Sequence, residues 1–235
     1  DMDAYIGMGH TAENLAKKYS ISRERQEQMA LESHLKASKA IEKGEFKDEI
    51  IPVNDISEDG CVRPDTTLES MAQLKPAFDK EGVVTAGTSS PLTDGAAAVI
   101  VCSEDYAKSN KLKMLAYIRG MAISGCSPEI MGIGPVVSSQ KALKRAGLKL
   151  EDIDIIEMNE AFAAQSLACV DELGIDMSKL NIHGGALAMG HPLGASGARI
   201  TGKAASLLQN NGAKYALSTM CVGGGQGCAT ILERA

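Results

Sequence analysis

No tryptophan occurs in the 235 residues, and phenylalanine and tyrosine number only three and five. The core must therefore be assembled from Ala, Val, Ile, Leu and eleven Met. Basic residues are in deficit too. Twenty-four Lys and Arg against 30 Asp and Glu leave a net charge of −6, which argues against a general polyanion binder, because affinity for a phosphate backbone rests on clustered cations. A local basic pocket for one phosphorylated cosubstrate stays compatible with that balance. No apolar run approaches the length of a membrane span. The six cysteines, at 61, 102, 126, 169, 221 and 228, include no CxxC and follow no regular spacing. This is not a disulfide framework, and a reduced compartment is expected. Internal repeats and low-complexity segments are missing as well. The opening Asp1-Met-Asp-Ala-Tyr5 has the features of neither a signal nor a transit peptide and looks cut from a longer chain.

What is present divides into two parts. Residues 10–43 read as helices, with Ser22 as an N-cap and Gly44 as a stop. Ala30, His34, Ala37 and Ile41 recur on one face of the second helix, so His34 is expected to pack there. A short strand is expected over 50–53, a loop over 55–65, and a capping box at Thr66-Thr-Leu-Glu69. From about residue 94 apolar runs alternate with helical segments. Strands are expected at 96–101, 115–123, 153–158, 215–220 and 229–232. Helices are expected after Ser103, over 136–146 with Gly147 as the stop, over 161–173 and over 195–209. Such alternation defines an α/β domain with a mostly parallel or mixed sheet. Cys102 and Cys169 fall within apolar runs and read as small buried hydrophobes.

Two motif matches are decoys. Gly7-Met-Gly9-His-Thr-Ala12 fits a dinucleotide-binding fingerprint, but too few residues precede it for a strand, and a helix follows where the second strand belongs. Gly197-Ala-Arg-Ile-Thr-Gly202-Lys203 mimics a P-loop, yet Ala204 stands where a magnesium-binding hydroxyl is needed.

Three segments carry unusual chemistry. Glu157-Met-Asn159-Glu160-Ala-Phe-Ala places polar side chains at the end of an apolar strand, where α/β proteins bind ligands; a helix capped by Asn159 is the competing reading. Gly184-Gly-Ala-Leu-Ala-Met-Gly190-His191-Pro-Leu-Gly194-Ala-Ser-Gly197 surrounds one histidine with glycines, which suits close backbone approach to a substrate; a plain tight turn is the competing reading, and it explains the glycines better than the histidine. Cys221-Val-Gly223-Gly-Gly-Gln-Gly227 sets a cysteine at the mouth of a loop of small residues whose N–H groups could serve an oxyanion.

Taken in order, these three segments resemble the C-terminal half of the thiolase family. The resemblance runs across essentially the whole chain. Met8-Gly-His-Thr-Ala-Glu-Asn14 is similar to the helical start within the thiolase loop domain. Thr85-Ala-Gly87-Thr-Ser-Ser90, with Asp94-Gly-Ala96, resembles the segment that contacts the pantetheine of coenzyme A. Ser127-Pro-Glu-Ile-Met131-Gly-Ile-Gly-Pro135 resembles another active-site loop. The ending Met220-Cys221-Val-Gly-Gly-Gly-Gln226-Gly227 is closer to the degradative 3-ketoacyl-CoA thiolases of β-oxidation than to most biosynthetic acetoacetyl-CoA thiolases.

The resemblance implies a thiolase-like α/β fold: a C-terminal βαβαβαββ half over 94–235, preceded by a partial helical loop domain over 1–93. It implies thiolysis of 3-ketoacyl-CoA by coenzyme A, a cosubstrate and not a resident cofactor, with no metal. By resemblance His191 activates the nucleophile and lends an N–H to the enolate oxygen, Asn159 orients a water there, Cys221 moves the proton, and Gly223 N–H serves the tetrahedral intermediate. A thiol suits that proton transfer because its ordinary pKa of about 8.5 is near working pH. Ser90, Gly87, Met131 and Met8 would contact coenzyme A. The family nucleophile is a different cysteine, in an N-terminal segment these residues do not include. Further implications are acyl-CoA and CoA as partners, homo-oligomers, pairing with a β-oxidation hydratase/dehydrogenase subunit, no nucleic acid, and a bacterial cytoplasmic setting with the mitochondrial matrix left open. The alternatives are a biosynthetic-type acetoacetyl-CoA thiolase and a CoA-binding fragment without turnover. An apolar, sticky face is expected where the other half would pack.

Overall fold

The computed structural model describes residues 5–235. Its centre is a four-stranded mixed sheet ordered β1-β4-β3-β2, with β1 Ala116–Gly125, β2 Ile155–Met158, β3 Tyr215–Val222 and β4 Gln226–Arg234. β2 and β3 run parallel, while β4 pairs antiparallel with both β3 and β1. A single parallel bridge from Leu180 to Ile156 adds a one-residue strand beyond β2. The helices are α1 Met8–Lys18, α2 Arg23–Glu42, α3 Leu68–Ala72, α4 Glu104–Ser109, α5 Gly134–Ala146, α6 Ala163–Leu173, α7 Ala186–Met189 and α8 Ser196–Asn210. Counting the Leu180 bridge, residues 116–234 follow the expected βαβαβαββ order.

Local chemistry explains most boundaries. Ser22 accepts from Arg25 N at the start of α2, and Ser103 accepts from Tyr106 N at the start of α4. Gly44 and Gly147 adopt φ of 72° and 70° where α2 and α5 end, a conformation that costs glycine nothing. The capping box is shifted by one residue from expectation: Thr67 is the cap and Ser70 its reciprocal partner. The P-loop mimic lies inside α8, as its rejection requires.

The sheet is covered on both faces. α5 and α6 bury Leu143, Leu167 and Cys169 against Ile156, Met158, Leu217 and Ile231. α8 buries Ala204, Leu207 and Leu208 against Ile155, Ala216 and Leu232 on the other face. Each fully buried leucine or isoleucine of this kind contributes about 1.5–3 kcal/mol relative to an exposed one. α1 packs on α6 and on the 3-10 turn Pro128–Ile133, and α2 packs on α6 and α7, so the helical first part lies against the end of the sheet at which β2 and β3 finish.

Two expected strands are not formed. Residues 50–53 contribute only the isolated bridge from Val53 to Ile56, in an exposed loop. Residues 96–101 pair with no strand among the described residues, and Val99 lies against Gly202 of α8. An apolar run has strand composition, but a strand exists only when a neighbour supplies its hydrogen bonds. Cys102, expected to be buried, is exposed for the same reason. Ile100 and Val101 are 85% and 71% exposed, and Met121 and Ile123 of the edge strand β1 are 57% and 71% exposed, which gives the chain a large open apolar surface.

Candidate active site

Asn159 and Cys221 reach the same end of the sheet because β2 and β3 are parallel neighbours. Met158 pairs with Thr219, and Asn159 N donates to Thr219 O at 3.0 Å, so the two chains leave the sheet side by side. Asn159 is fully buried, yet neither its Oδ1 nor its Nδ2 has a hydrogen-bond partner. A buried amide left unpaired costs about 1–3 kcal/mol per group, which sets Asn159 apart from the hydrogen-bonded Glu160 beside it.

Cys221 is 5% exposed and packs with Met131 and Ala161. Burial pushes its thiol up to about 12, while its backbone hydrogen bond pulls the other way. Burial thus raises the Cys221 thiol above the ordinary value expected for it, which favours its protonated form at neutral pH. The Gly223–Gly225 loop follows directly. Gly224 and Gly225 take φ of 82° and 90°, and a Cβ at Gly225 would lie 2.2 Å from Cys126 O. Gly223 faces Met8, whose Sδ lies 3.8 Å from where a Cβ would sit.

His191 is half-buried in the loop before α8. Its Nδ1 lies 2.6 Å from Ser196 Oγ, and that hydroxyl donates to Pro192 O at 3.1 Å. A hydroxyl has one proton, so it accepts from Nδ1–H and leaves Nε2 as the lone-pair nitrogen. Burial, and then the positive charge of Arg199, hold the imidazole below its ordinary value. The loop is fixed by His191 N donating to Thr93 Oγ1 at 3.2 Å.

Gly184, Gly185 and Gly190 of this segment serve the protein's own packing, while Gly194 has open space around it. A Cβ at Gly185 would strike the Glu160 carboxylate at 2.2 Å, and one at Gly190 would strike Thr93 Oγ1 at 2.2 Å. Glu160, buried, accepts from Ser33 Oγ at 2.7 Å, Asn181 Nδ2 at 2.6 Å and Leu187 N at 3.2 Å. It ties α2, the Leu180 strand and α7 to the residue following Asn159. Glu160 and Ser196 lie inside the motifs of the sequence without a role assigned there; a carboxylate next to Asn159 and a serine five residues after His191 are the signals that point to them.

The remaining residues distribute around this core. Ser90 N donates to Ala161 O at 3.0 Å, beside the Ser89–Phe162 bridge, so its loop is seated next to the Cys221 cluster. Met131 lies within that cluster. Gly87 sits farther along the same loop, where a Cβ would lie 2.7 Å from Leu74 Cδ1. Met8 begins α1 and is 36% exposed.

A mixed sheet in βαβαβαββ order, with Asn159 and Cys221 at the same end of β2 and β3, is the architecture of a thiolase-type C-terminal half. The chain belongs to the thiolase family: residues 112–234 match the family's C-terminal domain and residues 1–105 its N-terminal domain. It is 52% identical over 240 residues to the 3-ketoacyl-CoA thiolase of Vibrio parahaemolyticus serotype O3:K6 (strain RIMD 2210633), covering 97% of this chain and 61% of that protein. Among solved structures, human mitochondrial 3-ketoacyl-CoA thiolase superposes with a TM-score of 0.96 at 48% identity over 100% of this chain and 61% of its own, and the same protein has been solved in complex with CoA. The Bacillus anthracis acetyl-CoA acetyltransferase superposes with a TM-score of 0.93 at 45% identity, covering 98% of this chain and 60% of that one. The chain thus spans about three fifths of the length of the relatives it matches.

Proposed function

We propose that this chain supplies the acid–base half of a site for thiolytic cleavage of 3-ketoacyl-CoA by coenzyme A, giving acetyl-CoA and a shortened acyl-CoA. The observation that carries the reading is the buried, unpartnered amide of Asn159 at the strand end that also bears the Cys221 thiol. The family membership and the named relatives give it its substrate class.

In this scheme a thiolate from another part of a thiolase attacks the C3 ketone of the substrate. The C2–C3 bond breaks, and the electron pair goes to the acetyl-CoA enolate. Cys221 gives its proton to the enolate carbon, which suits a thiol that burial keeps protonated. The water held by Asn159 and the protonated Nε2 of His191 stabilise the enolate oxygen, and His191 receives that proton from the attacking thiol. Coenzyme A then transfers its thiol proton to Cys221 and attacks the acyl thioester; the first thiolate leaves and recovers its proton from His191, so no net proton is gained or lost. Gly223 N–H serves the tetrahedral intermediate. Residues 1–93 form one wall of a channel for the pantetheine arm, with Ser90, Gly87, Met131 and Met8 along it, and residues 94–235 bear the acid–base groups. The exposed apolar residues Val99, Ile100 and Val101 and the open face of β1 offer surface for the N-terminal half of a thiolase to pack against. Homo-oligomers, a hydratase/dehydrogenase partner and a bacterial cytoplasmic setting belong to the same proposal. Acetoacetyl-CoA cleavage by residues 1–235, alone and combined with an N-terminal thiolase half, tests it: turnover is expected only in the combination.

A further inference from the structure

Among the described residues nothing bonds the Asn159 amide, so its place is set by packing and by the backbone on either side of it. Toward β3, Asn159 N is held by Thr219 O. The other edge of β2 is covered only by the single Leu180 bridge among the described residues. In that bridge Ile156 N donates to Lys179 O at 2.9 Å, and Asn181 N donates to Ile156 O at 2.8 Å. A parallel ladder continued by one rung would send Met158 N to the backbone carbonyl of residue 181. It would also bring the backbone N–H of residue 183 to Met158 O.

The chain turns away before that rung. Asn181 takes φ of 43°, a left-handed conformation that asparagine tolerates better than most residues, and its carbonyl accepts from Gly184 N at 2.9 Å. The turn sends the chain into α7, which ends two residues before His191. The Asn181 side chain supplies the missing rung instead. Its Oδ1 accepts from Met158 N at 2.9 Å, and its Nδ2 donates to Met158 O at 2.8 Å. Nδ2 also donates to Glu160 Oε1 at 2.6 Å. One amide, 2% exposed, thus holds the residue before Asn159 and the residue after it, with both of its donors used. Aspartate has this shape without the donors, and serine offers one donor where two are needed.

We propose that Asn181 is a positioning residue for Asn159: its side-chain amide stands in for a strand on the free edge of β2 and, by gripping residues 158 and 160 together, fixes where the Asn159 amide is presented. The purpose of that grip rests on the thiolase reading; the grip itself does not. Asn181 acts through its neighbours and touches neither substrate nor the reacting atoms. Its loss should therefore matter to catalysis only while Asn159 is there to be positioned.

The test uses Asn181→Gly, which removes the amide and suits the left-handed φ, so that no backbone strain is added. Amide exchange by NMR in the 235-residue chain reads the grip. Met158 N–H, which loses its acceptor, is expected to exchange about tenfold faster or more, while Ile156 N–H, bonded to backbone, keeps its rate. Kinetics of the combination with an N-terminal thiolase half read the purpose. Asn181→Gly is expected to lower kcat on the order of 10²-fold when Asn159 is present, and by less than about threefold in an Asn159→Ala background. A variant that merely reduced the amount of folded enzyme would lower both by the same factor. An unmoved Met158 rate, an equal acceleration at Ile156, or equal factors in the two backgrounds overturns the proposal. Should Asn181→Gly fail to fold, Asn181→Asp decides by the same pair of backgrounds, because it keeps the shape and the Met158 acceptor but lacks both donors; equal factors again overturn the proposal. If every combination is inactive while Met158 exchange still follows Asn181, the thiolase reading fails and the grip on residues 158 and 160 stands.

Discussion

Replacing Glu157 with glutamine should change how the stability of this protein depends on pH. The carboxyl is 1% exposed on β2, and burial moves it from an ordinary 4.5 to about 8, with Arg199 and Lys203 opposing that rise and Glu160 and Glu49 adding to it. A carboxyl raised on folding means that the folded chain holds a proton the unfolded chain has released. Between pH 4.5 and 8 stability therefore falls as pH rises; the contribution is intact below 4.5 and lost above 8. At about 1.4 kcal/mol per pH unit, the whole window is worth on the order of 5 kcal/mol as an upper limit. Water entering beside the unpaired Oε1, or a shift of Arg199 toward it, would reduce that figure. Glutamine has nearly the same shape and no proton to lose. Urea unfolding of the two proteins at pH 5, 7 and 9 should give similar stabilities at pH 5 and an advantage for Glu157→Gln of several kcal/mol at pH 9, both values order-of-magnitude. Parallel pH profiles would refute the reasoning, because they would mean that the carboxyl is ionised and paired in the folded state.

Two further outcomes follow from the site's construction. Glu160→Ala leaves the buried donors of Ser33, Asn181 and Leu187 without an acceptor, and should cost about 3 kcal/mol or more in denaturant unfolding; a loss under about 1 kcal/mol would show that these groups re-pair. In an assembled enzyme Ser90→Trp should raise KM for coenzyme A far more than it lowers stability, since Ser90 is anchored to Ala161 beside the Cys221 cluster; unchanged CoA kinetics in a folded variant would remove Ser90 from the channel.

Much of the fold was legible because its signals are local. Ser22, Ser103, Gly44 and Gly147 each act on the turn they adjoin, and all four helix boundaries fell where those residues placed them. The sheet strands at 155–158 and 215–222 were visible as apolar runs because they are covered on both faces. The same cue misled at 96–101 and at Cys102, where composition is that of a covered strand but neither a pairing neighbour nor a covering layer is present among the described residues. At the site, residue order carried the family resemblance, and the parallel pairing of β2 with β3 accounts for why Asn159 and Cys221 finish together. Glu160 holding residues 33, 181 and 187, and Ser196 turning the His191 ring, depend on contacts across the fold that no local pattern encodes. The high value of the Cys221 thiol was likewise invisible, because it comes from the packing of Met131 and Ala161 around it.

The central claim, that this chain brings proton transfer but not the attacking thiolate, is tested most directly by acetoacetyl-CoA cleavage. Positioned proton transfer is typically worth about 10²–10⁴-fold, so Cys221 and His191 cannot substitute for covalent catalysis. No measurable turnover is expected from residues 1–235 alone, turnover is expected once an N-terminal thiolase half is supplied, and Cys221→Ala in that combination should lower it about 10²–10⁴-fold. Robust turnover by the chain alone, abolished in its Cys221→Ala variant, would contradict it and make Cys221 the nucleophile.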